Sequence, residues 1–164
     1  MRKKNILFLA ITVLVVLLDQ LSKAWIISTV RLYDSFSVIG GLFNITHVRN
    51  PGAAFGFLAA APPPFRYIFF IAVTLAAILL ILHYLRVSRI EETSLVSALA
   101  LILSGAVGNL IDRVRFGEVI DFLDVYLGSY HWPAFNVADS AITVGVAILI
   151  MVLIMRRKER TEGN

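Results

Sequence analysis

Residues 5–30, NILFLAITVLVVLLDQLSKAWIISTV, decide the fold of this chain. The first part of the stretch, residues 6–18, is apolar except for Thr12, and the second part is apolar except for a few polar side chains. A helix needs about 20 mostly apolar residues to cross the hydrocarbon core of a bilayer. Since lipid offers unpaired backbone groups no partners, only helices and closed barrels cross it. The stretch therefore predicts a transmembrane helix.

Three further apolar stretches have a similar length, at residues 66–85, 95–114 and 136–155. The whole chain has 164 residues, of which 59% are hydrophobic and 16% charged, and its mean hydropathy is +0.83. A soluble domain has about 45–50% apolar and about 25% charged residues. We predict an all-α integral membrane protein, a single domain over 1–164 with four transmembrane helices and outer segments at 31–65 and 115–135.

The first outer segment has a different pattern. Residues 42–48 and 53–58 are rich in β-branched and aromatic side chains, and Gly40-Gly41 and Asn50-Pro51-Gly52 separate them from their neighbours. This pattern is typical of short strands joined by turns. We predict two or more strands here, forming a small β element on the outer face.

Lysine and arginine side chains indicate the orientation, because they accumulate in cytoplasmic segments. Nine of the fifteen flank one side of the four spans. These are Arg2, Lys3, Lys4, Arg86, Arg89, Arg156, Arg157, Lys158 and Arg160. The other six flank the opposite side: Lys23, Arg31, Arg49, Arg66, Arg113 and Arg115. Both termini are therefore expected in the cytoplasm.

The N-terminus also has features of a cleaved secretory signal. Basic residues 2–4 precede an apolar run, and Ser22-Lys23-Ala24 imitates a cleavage site of small residues. The apolar run nevertheless continues beyond that point to Val30. We therefore expect an uncleaved first span.

Composition excludes several kinds of site and partner. With no cysteine, the chain can form no disulfide, thiolate nucleophile, iron–sulfur cluster or cysteine zinc site. The three histidines, His47, His83 and His131, form no metal-binding pattern, so we expect no metal and no cofactor. The net charge of +4 comes from residues at the ends of apolar runs, which does not indicate a nucleic-acid partner.

Polar side chains collect near the outer ends of the spans. Charged groups within a span cost a few kcal/mol each and usually face a partner, a bundle interior or water. The polar residues in question are Asp19, Lys23, Asn109, Asp112, Arg113, Asn136 and Asp139, with Glu118, Asp121 and Asp124 in the loop before span four. Three separate segments thus place polar groups at one depth.

Most of these residues have a structural alternative. Asn136 could cap a helix whose first turn favours the acidic Asp139. Asp19 and Lys23, four residues apart, could form a structural ion pair. Arg113 and Arg115 could be interfacial anchors, and Glu118 and Asp124 could be solvated loop charges. Gly105 and Gly108 could allow close packing of helices.

Asp121 has no such alternative, since it interrupts the apolar run 119–123. Asp121 and Asp139 are expected at the same membrane depth. Two carboxyl groups within about 3 Å of each other cannot both ionise cheaply, so one keeps a proton and the other acts as a base. Such a pair can activate water and protonate a leaving group, which is the chemistry of amide hydrolysis.

Five motifs occur in order along the chain: DQLSK at 19–23, NPGAAFG at 50–56, GNLIDR at 108–113, VIDFLD at 119–124 and FNVAD at 135–139. Together they resemble one bacterial family, the lipoprotein signal peptidases or signal peptidase II. The resemblance implies an intramembrane aspartyl protease of the bacterial inner membrane. It also implies that the enzyme processes prolipoproteins, removing their signal peptides by cleavage before the diacylglyceryl-modified cysteine.

The resemblance also assigns roles by motif position. Asp121 and Asp139 match the family's catalytic aspartates. The substrate-binding or site-supporting positions are Asp19, Lys23, Asn50, Gly52, Asn109, Asp112, Arg113 and Asn136. The implied partners are the lipid-modified substrates and membrane lipids.

Two other classes of function compete with a protease. A small proton- or cation-coupled transporter would have polar residues and broken helices near the membrane midplane, often with an internal repeat. A purely structural membrane subunit would explain the spans but not Asp121.

Overall fold

The structure, a computed structural model, describes residues 3–52, 57–58, 60–87 and 92–162. Its helices are α1 (Lys3–Thr29), α2 (Pro63–Val87), α3 (Thr93–Phe116) and α4 (Val137–Glu162). All four are long and apolar enough to cross a membrane. The predicted class of four membrane-spanning helices is therefore confirmed, and α1 runs without a break through the imitation cleavage site.

Helix α3 occupies the centre of the bundle and packs on each of the other three helices. Its contact with α4 depends on glycine, because a Cβ at Gly105 would collide with the backbone oxygen of Ala138. At Gly108 a Cβ would lie 2.5 Å from Oδ2 of Asp19 on α1. Close packing by these two glycines, one of the alternatives taken from the sequence, is what the structure shows.

A four-stranded antiparallel sheet lies beyond the helix ends. In spatial order its strands are β1 (Ser35–Ile39), β2 (Phe43–Asn50), β3 (Val119–Leu127) and β4 (Tyr130–His131). The predicted β element is confirmed, but the second outer segment contributes half of it. In the other predicted stretch, residues 53–56 lie outside the described part, and Phe57 and Leu58 form a turn.

Strand β3 escaped prediction because its first four residues, 119–122, are all buried. A strand covered on both faces does not alternate between apolar and polar residues, so it lacks the period of two that identifies strands. Ile120 and Phe122 pack with Ile26 and Val30 at the end of α1. This packing brings Asp121 to the end of the bundle where α1 ends and α4 begins.

Two local features place β3 against the ends of the helices. Gly117 ends α3 in the left-handed conformation, with φ of 78°, and donates its N–H to the carbonyl of Arg113 over 2.9 Å. Strand β2 then pairs with β3 so that Asn50 lies opposite Val119 and Val48 opposite Asp121. Asn50 is thus diagonal to Asp121 on the same face of the sheet.

Candidate active site

The first turn of α4 is closed by a reciprocal pair of hydrogen bonds. The backbone N–H of Asp139 donates to Oδ1 of Asn136 over 2.9 Å, and the backbone N–H of Asn136 donates to Oδ2 of Asp139 over 3.3 Å. This is a capping box in which the acidic member is Asp139. The capping alternative is therefore correct for Asn136, but capping is only part of what this residue does.

The carboxyl group of Asp121 accepts one hydrogen bond on each oxygen. The side-chain amide of Asn136 donates to Oδ1 over 2.7 Å, and that of Asn50 donates to Oδ2 over 2.8 Å. The amide oxygen of Asn50 accepts the backbone N–H of Gly52 over 3.0 Å, which turns its nitrogen towards Asp121. Both asparagines thus hold Asp121 in one orientation.

Asn109 on α3 holds the carboxyl group of Asp139. Its amide nitrogen donates to Oδ1 of Asp139 over 2.7 Å. Its amide oxygen accepts from Nζ of Lys23 over 3.0 Å and from the side chain of Asn136 over 3.3 Å. Because two donors point at that oxygen, the nitrogen of Asn109 faces Asp139.

Behind Asn109 lies a fully buried cluster of charges. Nζ of Lys23 is 2.9 Å from Oδ2 of Asp19 and 2.8 Å from Oδ2 of Asp112. Nε2 of Gln20 donates to Oδ1 of Asp112 over 3.2 Å and to Oδ2 of Asp19 over 3.1 Å. The ion pair suggested by the sequence exists, but it has a third charged member and a glutamine that was not singled out.

The same cluster holds the elements that carry Asp121 and Asp139. Oδ1 of Asp19 accepts the backbone N–H of Ala138, in the first turn of α4, over 2.9 Å. Oδ2 of Asp112 accepts the backbone N–H of Ile120, next to Asp121, over 3.2 Å. The cluster therefore ties α4 and β3 to α1 and α3.

Two other charged residues do more than the structural alternatives expected from the sequence. Arg113 donates to the carbonyl of Gly52 over 3.2 Å, and its guanidinium lies over the ring of Phe70 at 4.9 Å, so it is more than an interfacial anchor. Asp124 accepts from Asn44 over 2.9 Å and lies 2.8 Å from Nδ1 of His131. It is therefore not simply a solvated loop charge.

The environment of Asp121 disfavours its ionised form. Burial raises the pKa of the Asp121 carboxyl to about 7, and the charge of Asp139 adds to the rise. The hydrogen bonds from Asn50 and Asn136 act in the opposite direction. Near neutral pH the carboxyl group of Asp121 is therefore present in both its protonated and its ionised form.

A cleft of about 810 Å³ opens between α2, α3 and α4 beside these residues. Asp139, Asn109, Arg113 and Asn50 line it, and Asp121, which is almost fully buried, lies next to them, hydrogen-bonded to Asn50. Most of the wall is apolar: Val73 and Ala77 of α2, Ile102 and Ala106 of α3, Ile142 of α4, and Trp132, Pro133, Ala134 and Phe135. Nothing in the sequence marks α2 or residues 132–134 as part of the cleft, because the side chains that they contribute to its wall are not of a catalytic type.

Known proteins similar to this chain identify its family. A family model described as "Signal peptidase (SPase) II" matches residues 11–155. This chain belongs to the signal peptidase II family. The lipoprotein signal peptidase of Syntrophus aciditrophicus is 57% identical over 161 residues, covering 98% of this chain and 100% of the relative. That of Geobacter metallireducens is 50% identical over 158 residues, covering 96% of each chain.

Solved structures agree with the sequence relatives. A bacterial membrane enzyme determined by the in meso method at 2.3 Å resolution superposes with a TM-score of 0.84 at 36% identity, covering 93% of this chain and 90% of that one. A second, at 1.9 Å, gives 0.80 at 36% identity, with coverage of 89% and 91%. The protein is thus a membrane-embedded, multi-pass signal peptidase. The resemblance is confirmed, and the transporter alternative is not supported.

Proposed function

We propose that this signal peptidase is an aspartic endopeptidase. Its substrates would be prolipoproteins, cut immediately before the diacylglyceryl-modified cysteine. The observation that carries the proposal is that the side chain of Asn136 joins the carboxyl group of Asp121 to the backbone of Asp139, which lines the cleft. The charge of Asp139 contributes to the raised pKa of Asp121, as expected for carboxyl groups that share a site.

The carboxyl groups of Asp121 and Asp139 have different roles. Asp121, buried and with its pKa raised to about 7, holds a proton. Asp139 lines the cleft in the first turn of α4 and acts as the base. Asp139 removes a proton from a water molecule while the oxygen of that water attacks the scissile carbonyl. At the same time Asp121 gives its proton to the carbonyl oxygen. When the C–N bond breaks, Asp139 returns its proton to the leaving nitrogen and Asp121 regains its own.

The cleft suits a substrate that already lies in the bilayer. Its apolar walls on α2 and α4 can receive a signal helix and acyl chains. Extended substrate backbone near the scissile bond needs hydrogen bonds that lipid does not supply. Arg113, with five N–H donors on its guanidinium, and Asn109 lie at that part of the wall.

The distribution of basic residues supports an orientation with both termini in the cytoplasm and the cleft near the outer face of the bacterial inner membrane. Single cysteines test this orientation in a chain that has none. An impermeant thiol reagent applied to intact cells should label Ser129→Cys and spare Val87→Cys, both at exposed positions. The opposite labelling would reverse the orientation.

The activity is tested with one precursor peptide in lipidated and unlipidated forms, each with and without a strong chelator. Mass spectrometry of the products identifies the cut bond. We expect cleavage before the modified cysteine, undiminished by chelation. We also expect strong dependence on the lipid, because acyl chains hold the scissile bond at the depth of the two aspartates. Equal cleavage of both forms contradicts the lipoprotein substrate, and loss on chelation that metal restores contradicts the metal-free mechanism.

A further inference from the structure

A second cavity, of about 270 Å³, lies at the other end of the helix bundle. It is lined by Lys4, Asn5, Phe8, Leu85, Arg86 and Val96, from the start of α1, the end of α2 and the start of α3. Lys4 is about 22 Å along α1 from Asp19, given a rise of about 1.5 Å per residue. This end cavity is therefore separate from the catalytic cleft.

The polar lining of the end cavity is positively charged. Lys4 and Arg86 supply two cations and Asn5 an amide, and among the residues that the structure describes no acidic side chain lines the cavity. Among the side chains described at this end of the bundle, the acidic one is Glu92. Glu92 is engaged elsewhere, since Oε2 accepts from Nε of Arg156 over 3.1 Å and from its Nη2 over 2.5 Å. The cavity thus has the charge of an anion site.

The remaining lining is apolar. Phe8, Leu85 and Val96 belong to or pack against the hydrophobic cluster at this end of the bundle. Leu9, next to Phe8 on α1, and Leu82, about one turn before Leu85 on α2, are exposed at the surface of the bundle. A ligand that fits both parts has an anionic head and an apolar body, and it can enter from the bilayer.

We propose that the end cavity binds the headgroup of an anionic phospholipid, with the phosphate between Lys4 and Arg86 and the acyl chains along α1 and α2. Basic pockets between transmembrane helices are suited to such headgroups, and guanidinium binds phosphate through paired N–H donors. The lipid would also join two helices that have no extensive contact with each other, since α1 packs on α3 and α4 whereas α2 packs on α3. It would therefore stabilise the bundle.

Binding is measured on the purified full-length protein, without reference to cleavage. Native mass spectrometry counts bound lipid, and thermal unfolding is followed in mixed micelles of phosphatidylglycerol or of phosphatidylcholine, and in detergent with inorganic phosphate. We expect phosphatidylglycerol to remain bound and to raise the unfolding temperature most. Equal effects of the two lipids contradict an anionic headgroup site. An equal effect of inorganic phosphate contradicts a lipid ligand.

Variants locate the site. Lys4→Gln with Arg86→Gln should weaken phosphatidylglycerol binding by at least about tenfold, because each removes a charge near the phosphate. Lys4→Arg, which keeps the charge, should bind like the parent. The matched control is Lys3→Gln, the same change at the neighbouring lysine, which does not line the cavity. Equal losses in Lys3→Gln and in the double variant would contradict the assignment. The comparison of lipids on the parent protein decides the question even if the double variant does not fold.

Discussion

The side chain of Asn136 donates to Oδ1 of Asp121 over 2.7 Å, while its oxygen accepts the backbone N–H of Asp139 over 2.9 Å. One amide thus caps α4 and joins it to strand β3. A serine at this position keeps a capping oxygen but loses the amide nitrogen that donates to Asp121. The two functions of Asn136 can therefore be separated.

Replacing Asn136 by serine should lower kcat by about 10²-fold, because Asp121 is no longer oriented for proton transfer. The measurement is kcat for a lipidated precursor at saturating substrate. The matched control is Asn44→Ser, which removes a similar amide-to-carboxylate bond, from Asn44 to Asp124, on the sheet. An unchanged kcat in Asn136→Ser would show that the amide does not serve catalysis.

The pH dependence of the reaction follows from the raised pKa of Asp121. If Asp121 must hold a proton, activity is lost as the pH rises through about 7. We expect kcat/KM to fall by about tenfold per pH unit well above 7. Thermal unfolding at each pH checks that the protein stays folded. Activity that stays level or increases between pH 7 and 9 rules out Asp121 as the proton donor.

The buried cluster around Lys23 predicts an unusual order of stabilities. Lys23→Met leaves the carboxylates of Asp19 and Asp112 buried without their cation, and breaking a buried pair in this way costs about 3–5 kcal/mol. Adding Asp19→Asn removes one of those charges, so the double variant should unfold at a higher temperature than Lys23→Met alone. The comparison uses thermal unfolding in detergent. If both variants unfold at the temperature of the parent, the ion cluster does not form.

Gly105 provides the closest test of the contact between α3 and α4. An alanine there would collide with the backbone oxygen of Ala138, next to Asp139, so the helices must separate. We expect Gly105→Ala to lower both the unfolding temperature and kcat. Gly40→Ala is the matched control, since nothing lies within 4 Å of a Cβ at Gly40. Equal behaviour of the two variants would mean that the close contact has no role.

Much of this structure could be predicted from the chain itself. Hydropathy locates the four spans, since the bilayer fixes both the length and the apolar character of a helix that crosses it. Asp121 could be singled out because a carboxyl group inside an apolar run needs an explanation. The pairing of Asp19 with Lys23 follows from helical spacing.

Other features depend on contacts between distant residues. Lys23 meets Asp112, 89 positions away, and no local pattern encodes that contact. The pairing of β2 with β3, which places Asn50 beside Asp121, depends on a strand that lacks alternation. The apolar wall on α2 has the same composition as a surface that faces lipid. Its place in the cleft is therefore visible only once the helices are assembled.

The most direct test of the proposed mechanism is the turnover of a diacylglyceryl-modified precursor by four proteins: the parent, Asp121→Asn, Asp139→Asn and the double variant. Each single variant should insert in the membrane and lose at least about 10³-fold in kcat, since acid and base are needed in the same step. The double variant should be scarcely slower than either single one, because members of a catalytic unit are not additive. Substantial cleavage by either single variant, or losses that multiply in the double variant, would contradict a dyad of Asp121 and Asp139.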